Sequence, residues 1–259
     1  HPDLYMANPK AFEEAFIKQI VIENSEYFNI QKFWIFNGYQ IETKKKNIEK
    51  LLNFNEIAYI DLDAPIFRDD PDVGSKVAEG YSISVAIDNL KVVKAHKLWQ
   101  KGITGKGRLV LGLDSGVDGN HPALNYKWRG KTVPLNQAWF DPNNSNFPSD
   151  CEEHGTHTMG TMVGLGKMTG DTVGVAIDAE WIAAKVTCND GIITSTILSA
   201  FQWAMDPDNN PNTTSDMPDA INCSWYDPDV SDECNGVYVQ TLTALETVGI
   251  AVVFSAGNS

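Results

Sequence analysis

Between Arg108 and Phe254, short apolar runs alternate with stretches whose apolar residues recur at helical spacing, and few folds accommodate that alternation. Arg108–Leu113, Trp181–Val186, Ala220–Ser224 and Ile250–Phe254 read as buried strands. Glu152–Gly164 reads as a helix, as do the stripes Ile197, Leu198, Phe201, Met205 and Tyr238, Leu242, Leu245, Val248. Helices alternating with apolar strands imply an α/β fold, a mostly parallel sheet flanked by helices. Ligands in such sheets bind at the carboxyl ends of the strands, so the residues just after each strand are where chemistry is expected.

Ahead of residue 65 the pattern changes. Phe12, Phe16, Ile17 and Ile20 share one helical stripe within residues 8–23, with Asn8 as N-cap and Pro9 at the first helical position. Lys32–Phe36 and Tyr39–Thr43 flank Asn37-Gly38, a strong hairpin signal. A second helix is expected around Lys44–Phe54 and a strand at Ile57–Leu62. The order α-β-β-α-β describes a small α+β unit that lacks only a first strand to be ferredoxin-like. Pro65 through Val85 is acidic and interrupted by Pro71, Gly74 and Gly80, which reads as a linker. The expected organisation is therefore a small domain at 1–65, a linker at 66–87 and a larger domain at 88–259.

Composition removes several function classes. With 20 Lys+Arg against 34 Asp+Glu the formal net charge is −14, the wrong sign for a nucleic-acid binder. A hydrophobic content of 42% excludes wholesale disorder. No apolar run approaches the roughly 18 residues of a membrane span; the longest, Gly249 to Phe254, reads as one strand. Residue 1 is His, which suggests a processed or trimmed start with any export signal upstream. Residues 251–259 form a strand running into a loop, a place where a domain rarely stops. Cys151, Cys188, Cys223 and Cys234 show no C-x-x-C spacing, so two disulfides or four buried thiols are the readings. A short loop closed by Cys223 and Cys234 would leave Cys151 with Cys188.

Three segments at the ends of these elements carry candidate chemistry. Asp114 in Asp114-Ser-Gly116 follows a buried strand, where it either starts a turn or orients an imidazole. His154 and His157 in His154-Gly-Thr-His157 stand at i, i+3, which permits a metal pair, a capping role or a catalytic base. The Glu of the H-E-x-x-H zinc motif is missing there. Asn258 in Ser255-Ala-Gly-Asn258 is either turn chemistry or an amide donor aimed at a developing oxyanion.

In this order, Asp114-Ser-Gly, His154-Gly-Thr-His and Ala256-Gly-Asn resemble the motifs of the subtilisin-like serine proteases, the subtilases. Gly102-Ile-Thr-Gly-Lys-Gly107, Asp118-Gly-Asn-His-Pro122 and Asn222-Cys-Ser-Trp225 are similar to the family's surrounding text. The resemblance covers about residues 88–259 and is nearest to the bacillopeptidase F-like branch, on Gln202-Trp-Ala and Phe254-Ser-Ala-Gly-Asn258. Phe33-Trp-Ile-Phe-Asn-Gly-Tyr39 looks like a subtilase inhibitor-type propeptide. The resemblance implies a secreted or cell-surface serine endopeptidase acting on polypeptides, with residues 1–65 as its folding assistant and inhibitor. His154 would be general base and then acid, Asp114 its orienting carboxylate, and Asn258 the oxyanion donor. Ser224, Trp225 and Tyr226 would line the main specificity pocket with Ser255, Ala256 and Gly257, holding substrate as an added strand. Trp225 and Tyr226 stand where many subtilases have smaller residues.

Two departures accompany the resemblance. The family's nucleophile sits in a Gly-Thr-Ser-Met/Ala segment after the oxyanion Asn, and no segment here matches it. The expectation is a C-terminally truncated chain that is inactive alone; the alternative is a catalytically dead subtilase-fold protein that binds peptides. The family's commonest calcium site uses an Asp after His-Pro, where this chain has Ala123. No cofactor is expected for the reaction, and Ca²⁺ enters only as an optional structural ion. Its candidate locations are the acidic loops Asp141–Asp150 and Asp206–Asp219, which otherwise read as solvated surface.

Overall fold

The computed structural model describes residues 27–55, 57–66, 83–166, 172–188, 192–226 and 236–257. It divides into two units, His1–Asp63 and Ala64–Ser259. In the first, β1 (Tyr27–Phe33) and β2 (Gly38–Thr43) form an antiparallel hairpin closed by the pair Phe33↔Gly38. The turn is thus the four residues Trp34–Asn37, longer than a two-residue Asn-Gly turn. Phe33 and Phe36 stack at 5.2 Å and Ile35 is buried, so packing draws these residues out of the ladder. Asn37 takes φ +54°, a conformation asparagine tolerates. Helix α1 (Lys45–Leu51) follows and packs Leu51 against Tyr39, Ile41, Phe54 and Ile57.

The strand expected at Ile57–Leu62 does not form. Tyr59, Ile60 and Leu62 are all exposed, so neither face of the segment is buried and the apolar residues gain nothing from a ladder. The helix expected at residues 8–23 lies outside the described residues. What is described of this unit is one hairpin and one helix.

The second unit opens with β3 (Pro65–Ile66), then helices α2 (Ile83–Val92) and α3 (Ala95–Trp99). Helix α2 begins inside the stretch expected to be linker. The main sheet comprises β4 (Leu109–Asp114), β5 (Trp139–Phe140), β6 (Glu180–Lys185), β8 (Ala220–Cys223) and β9 (Ala251–Phe254). Between them run α4 (His154–Val163), α5 (Thr194–Met205) and α6 (Val237–Thr247), with β7 (Ile192–Ile193) just ahead of α5. The strand order is β5-β6-β4-β8-β9 and every pairing is parallel, as the alternation requires. Within this sheet β5 alone is illegible in the sequence, because two residues carry no periodicity. β3 pairs antiparallel with β7, Pro65 opposite Ile193 and Ile66 opposite Ile192.

β4 is central and covered on both faces. Leu109, Leu111 and Leu113 are buried, which accounts for the unbroken apolar run. Gly112 lets α4 close in, since a Cβ there would meet the Met159 methyl at 2.9 Å. Trp181 of β6 is fully buried and donates its indole N–H to the Leu124 carbonyl at 2.9 Å. From α5, Ile197, Leu198 and Phe201 complete the core. Leu111→Ala would leave a cavity at the middle of the central strand. It should cost about 3 kcal/mol of stability in denaturant unfolding; a loss below about 1 kcal/mol would contradict this packing.

Candidate active site

β4 ends on Asp114, whose backbone carbonyl accepts N–H bonds from Val186 and Thr187 just beyond the neighbouring β6. The side chain, 2% exposed, is turned inward at the carboxyl edge of the sheet. Its Oδ1 accepts the Ser115 N–H at 2.7 Å and lies 2.7 Å from Nδ1 of His154, the first residue of α4. The Thr158 hydroxyl stands 3.4 Å from Oδ2. The glycines in the two motifs are what permit this approach. A Cβ on Gly155 would sit 2.0 Å from the Gly116 carbonyl oxygen and 3.1 Å from Asp114 Cβ. Gly116 itself takes φ +103°, and a Cβ there would lie 2.1 Å from the Ser149 carbonyl oxygen.

The first turn of α4 is anchored by a residue that the sequence places in a surface loop. Asp150 collects five donors: the hydroxyls of Ser115 (2.8 Å) and Thr156 (2.5 Å) and the N–H groups of Glu152, Glu153 and Thr156. Ser115 in turn accepts the Gly155 N–H at 2.9 Å, so strand end and helix start share one network. Asp150 thereby does the work of a capping residue at a distance from the helix. At the other end of α4, buried Lys127 donates to the carbonyls of Val163 and Ile177. A carboxylate at the N-terminus and an ammonium at the C-terminus both complement the helix dipole. Neither residue carries a sequence signal, because each acts across a loop. The one legible hint is an Asp shortly before a helix start.

Cys151 and Cys188 form a disulfide, one of the pairings the sequence allows. It joins the approach to α4 with the segment leaving β6, and so braces His154 from a second side. The suggested Cys223–Cys234 pair is corrected: Cys223 is a free, fully buried thiol on β8, while Cys234 lies outside the described residues. Burial and then the nearby Asp114 carboxylate push that thiol well above its ordinary range, so it packs as a neutral group.

The other expected site residues divide. Ser224 follows β8 and its hydroxyl accepts the Asn222 side-chain amide at 3.0 Å; Tyr226 is exposed. Trp225 differs from the expectation. Its side chain is 3% exposed and packs against Phe201, Tyr238 and Phe254, so the indole belongs to the core. Ser255, Ala256 and Gly257 are exposed at the carboxyl end of β9, with Gly257 at φ +87°. Asn258 lies outside the described residues. His157 is exposed on α4, while His154 faces Asp114.

The Asp150 network has a pH signature. Burial alone would push this carboxyl up, but hydrogen bonds from Thr156, Glu152 and Ser115 outweigh it and hold it below its ordinary value. A carboxyl depressed by folding adds stability that is fully present above its unfolded value of 3.8. That stability is lost as the pH falls through the lower folded value. Asp150→Asn should cost about 1–2 kcal/mol at neutral pH and flatten the loss of stability in acid. Denaturant unfolding at a series of pH values checks both; a variant as stable as the parent at pH 7 would show that the cap contributes nothing.

Residues 105–259 match the model of the subtilase family. Bacillopeptidase F of Bacillus subtilis is 32% identical over 243 residues, covering 89% of this chain and 17% of its own length. Subtilisin E of Bacillus subtilis is 30% identical over 229 residues, covering 88% of this chain and 51% of its own length. The solved structure of the Clostridium perfringens CspB protease superposes with a TM-score of 0.49 at 21% identity, over 66% of this chain and 41% of that one. The chain thus spans about half or less of the length of these relatives. With more than half of its residues matching the family model, the chain belongs to the subtilase family of serine peptidases.

Proposed function

We propose that the protein containing this chain is a serine endopeptidase that cleaves polypeptides through an acyl-enzyme, with Asp114 and His154 as two members of its triad. The observation that carries the reading is the 2.7 Å contact between His154 Nδ1 and an Asp114 carboxylate that is 2% exposed. Oδ1 already accepts the Ser115 N–H, so the ring nitrogen facing it is the one that carries hydrogen. Nε2 then holds the lone pair, which is what a general base needs to take a proton from a serine hydroxyl. As the imidazolium forms, Asp114 stabilises its charge, and the same proton passes to the leaving amine.

In this reading Asn258, next after Gly257, donates its amide to the tetrahedral oxyanion, an interaction worth about 3 kcal/mol in such enzymes. The nucleophile is the serine of a Gly-Thr-Ser-Met/Ala segment C-terminal to Ser259, since no segment of residues 1–259 matches that motif. Ser224, Tyr226 and Ser255–Gly257 border the specificity pocket, to which Trp225 contributes backbone.

Residues 1–65 act as folding assistant and inhibitor of the same enzyme. One observation supports this: the likeness to bacillopeptidase F extends well ahead of the family match that begins at residue 105. The Cys151–Cys188 disulfide, of a kind that persists in oxidising compartments, supports an exported location.

Labelling of the full-length protein with a fluorophosphonate tests the reading. The parent should acylate at one serine, and Asp114→Asn should lower turnover by about 10⁴-fold, with His154→Ala as severe. The 259-residue chain alone should take no label. A full-length protein that takes none, alongside a working subtilisin control, would sink the proposal.

A further inference from the structure

Helix α5 ends at Met205, and the chain returns to β8 through a loop whose polar residues are spaced by two: Asp206, Asp208, Asn210 and Asn212. The Asn210 N–H bonds both Asp206 Oδ1 (2.7 Å) and Asp208 Oδ1 (2.8 Å), with Asn209 at φ +57° turning the chain. Asp216 returns to the same place: its Oδ2 accepts the Asp208 N–H at 3.1 Å. One carboxylate oxygen from each of Asp206, Asp208 and Asp216 lies within 4.8 Å of the other two.

Three like charges at this separation repel, and the negative end of α5 adds to them because Asp206 is its C-cap. Among the described residues no Lys or Arg forms an ion pair with any of the three. Arg129 reaches the loop, but it donates to the Ser215 carbonyl and pairs with Glu180. An independent observation points to a ligand. Asp216 is only 5% exposed, and its buried Oδ1 has no hydrogen-bond partner. A buried carboxylate oxygen with no donor is costly, and such an atom calls for a cation or a donor at that spot.

We propose that Asp206, Asp208 and Asp216 form a Ca²⁺ site that fastens the C-terminal end of α5 to the start of β8. The donors are all hard oxygens, which selects for a hard cation over a transition metal. Ca²⁺ accepts a flexible shell of carboxylate, carbonyl and water oxygens such as a loop can offer, whereas Mg²⁺ demands a near-octahedral one and gives up its water reluctantly. Loop carbonyls and water would complete the shell. The loop leads to Asp219, which binds Arg108 (2.9 Å) and the Leu109 N–H (2.9 Å), while its carbonyl accepts the Ala251 N–H. A bound ion would therefore brace the amino ends of β4, β8 and β9, opposite the Asp114–His154 edge, and act on stability.

Calorimetric titration of the chelator-stripped chain with CaCl₂, with thermal unfolding in parallel, tests the site. One Ca²⁺ should bind there and raise the melting temperature by several degrees. Asp216→Asn and Asp208→Asn should each weaken binding by about tenfold or more and remove that rise. Asp208 supports no core packing, so its variant decides the matter if Asp216→Asn fails to fold. Asp141→Asn, in the other acidic loop, should leave both readouts unchanged. Absence of binding at millimolar CaCl₂, parent-like binding in Asp208→Asn, loss of binding in Asp141→Asn instead, or equal affinity for MgCl₂ would each overturn the assignment.

Discussion

The carboxyl edge of the sheet is organised around one buried carboxylate. Asp114 closes the central strand, paired with Lys185 of β6 and following Leu113, which is paired on both sides, so its position is fixed before its side chain makes any contact. Burying an ionised group is expensive unless donors meet it. Ser115 N–H and the His154 ring meet Oδ1, and the glycines at 116 and 155 are what allow two backbones to come close enough for that. The imidazole is thereby held in one direction.

Helix α4 supplies the other half of the constraint. Its first residue is His154, so any fraying of the first turn would misplace the imidazole. Asp150 gathers the loose N–H groups at that end, Lys127 meets the Val163 carbonyl at the other, and the Cys151–Cys188 disulfide ties the approach to the segment leaving β6. A helix held at both ends can present a terminal side chain with the precision that chemistry needs. The Asp206–Asp208–Asp216 cluster stands at the far edge of the same sheet, where charge bears on stability.

Much of this architecture is legible from local pattern. The apolar runs correspond to β4, β6, β8 and β9, and the stripes to α4, α5 and α6, because covered strands and one-sided helices leave clear periodicities; β9, expected to be buried, is instead the sheet's last strand and leaves Val253 and Phe254 exposed. The failures have physical causes. Ile57–Leu62 has strand-like composition, yet beyond Ile57 its side chains are exposed. The Asn37-Gly38 signal is right about the hairpin and short by two residues in its turn, because Phe36 stacks on Phe33. Trp225 belongs to a motif by position, while its burial depends on Phe201, Tyr238 and Phe254, which come from other segments. Cys223 pairs with Cys234 only by nearness in sequence, whereas its strand places it in the core.

The sequence by itself determined the family and the parallel sheet and singled out Asp114 and His154 as candidates, because motif order and hydrophobic period are properties of the chain read along its length. Tertiary structure alone decided how those residues are held. Asp150, Ser115, Thr156 and Lys127 act through hydrogen bonds that cross between strand, loop and helix, and Asp216 joins Asp206 and Asp208 only when a loop folds back. Hydrogen bonds and burial depend on distance in space, and no linear spacing records which distant groups will share a site.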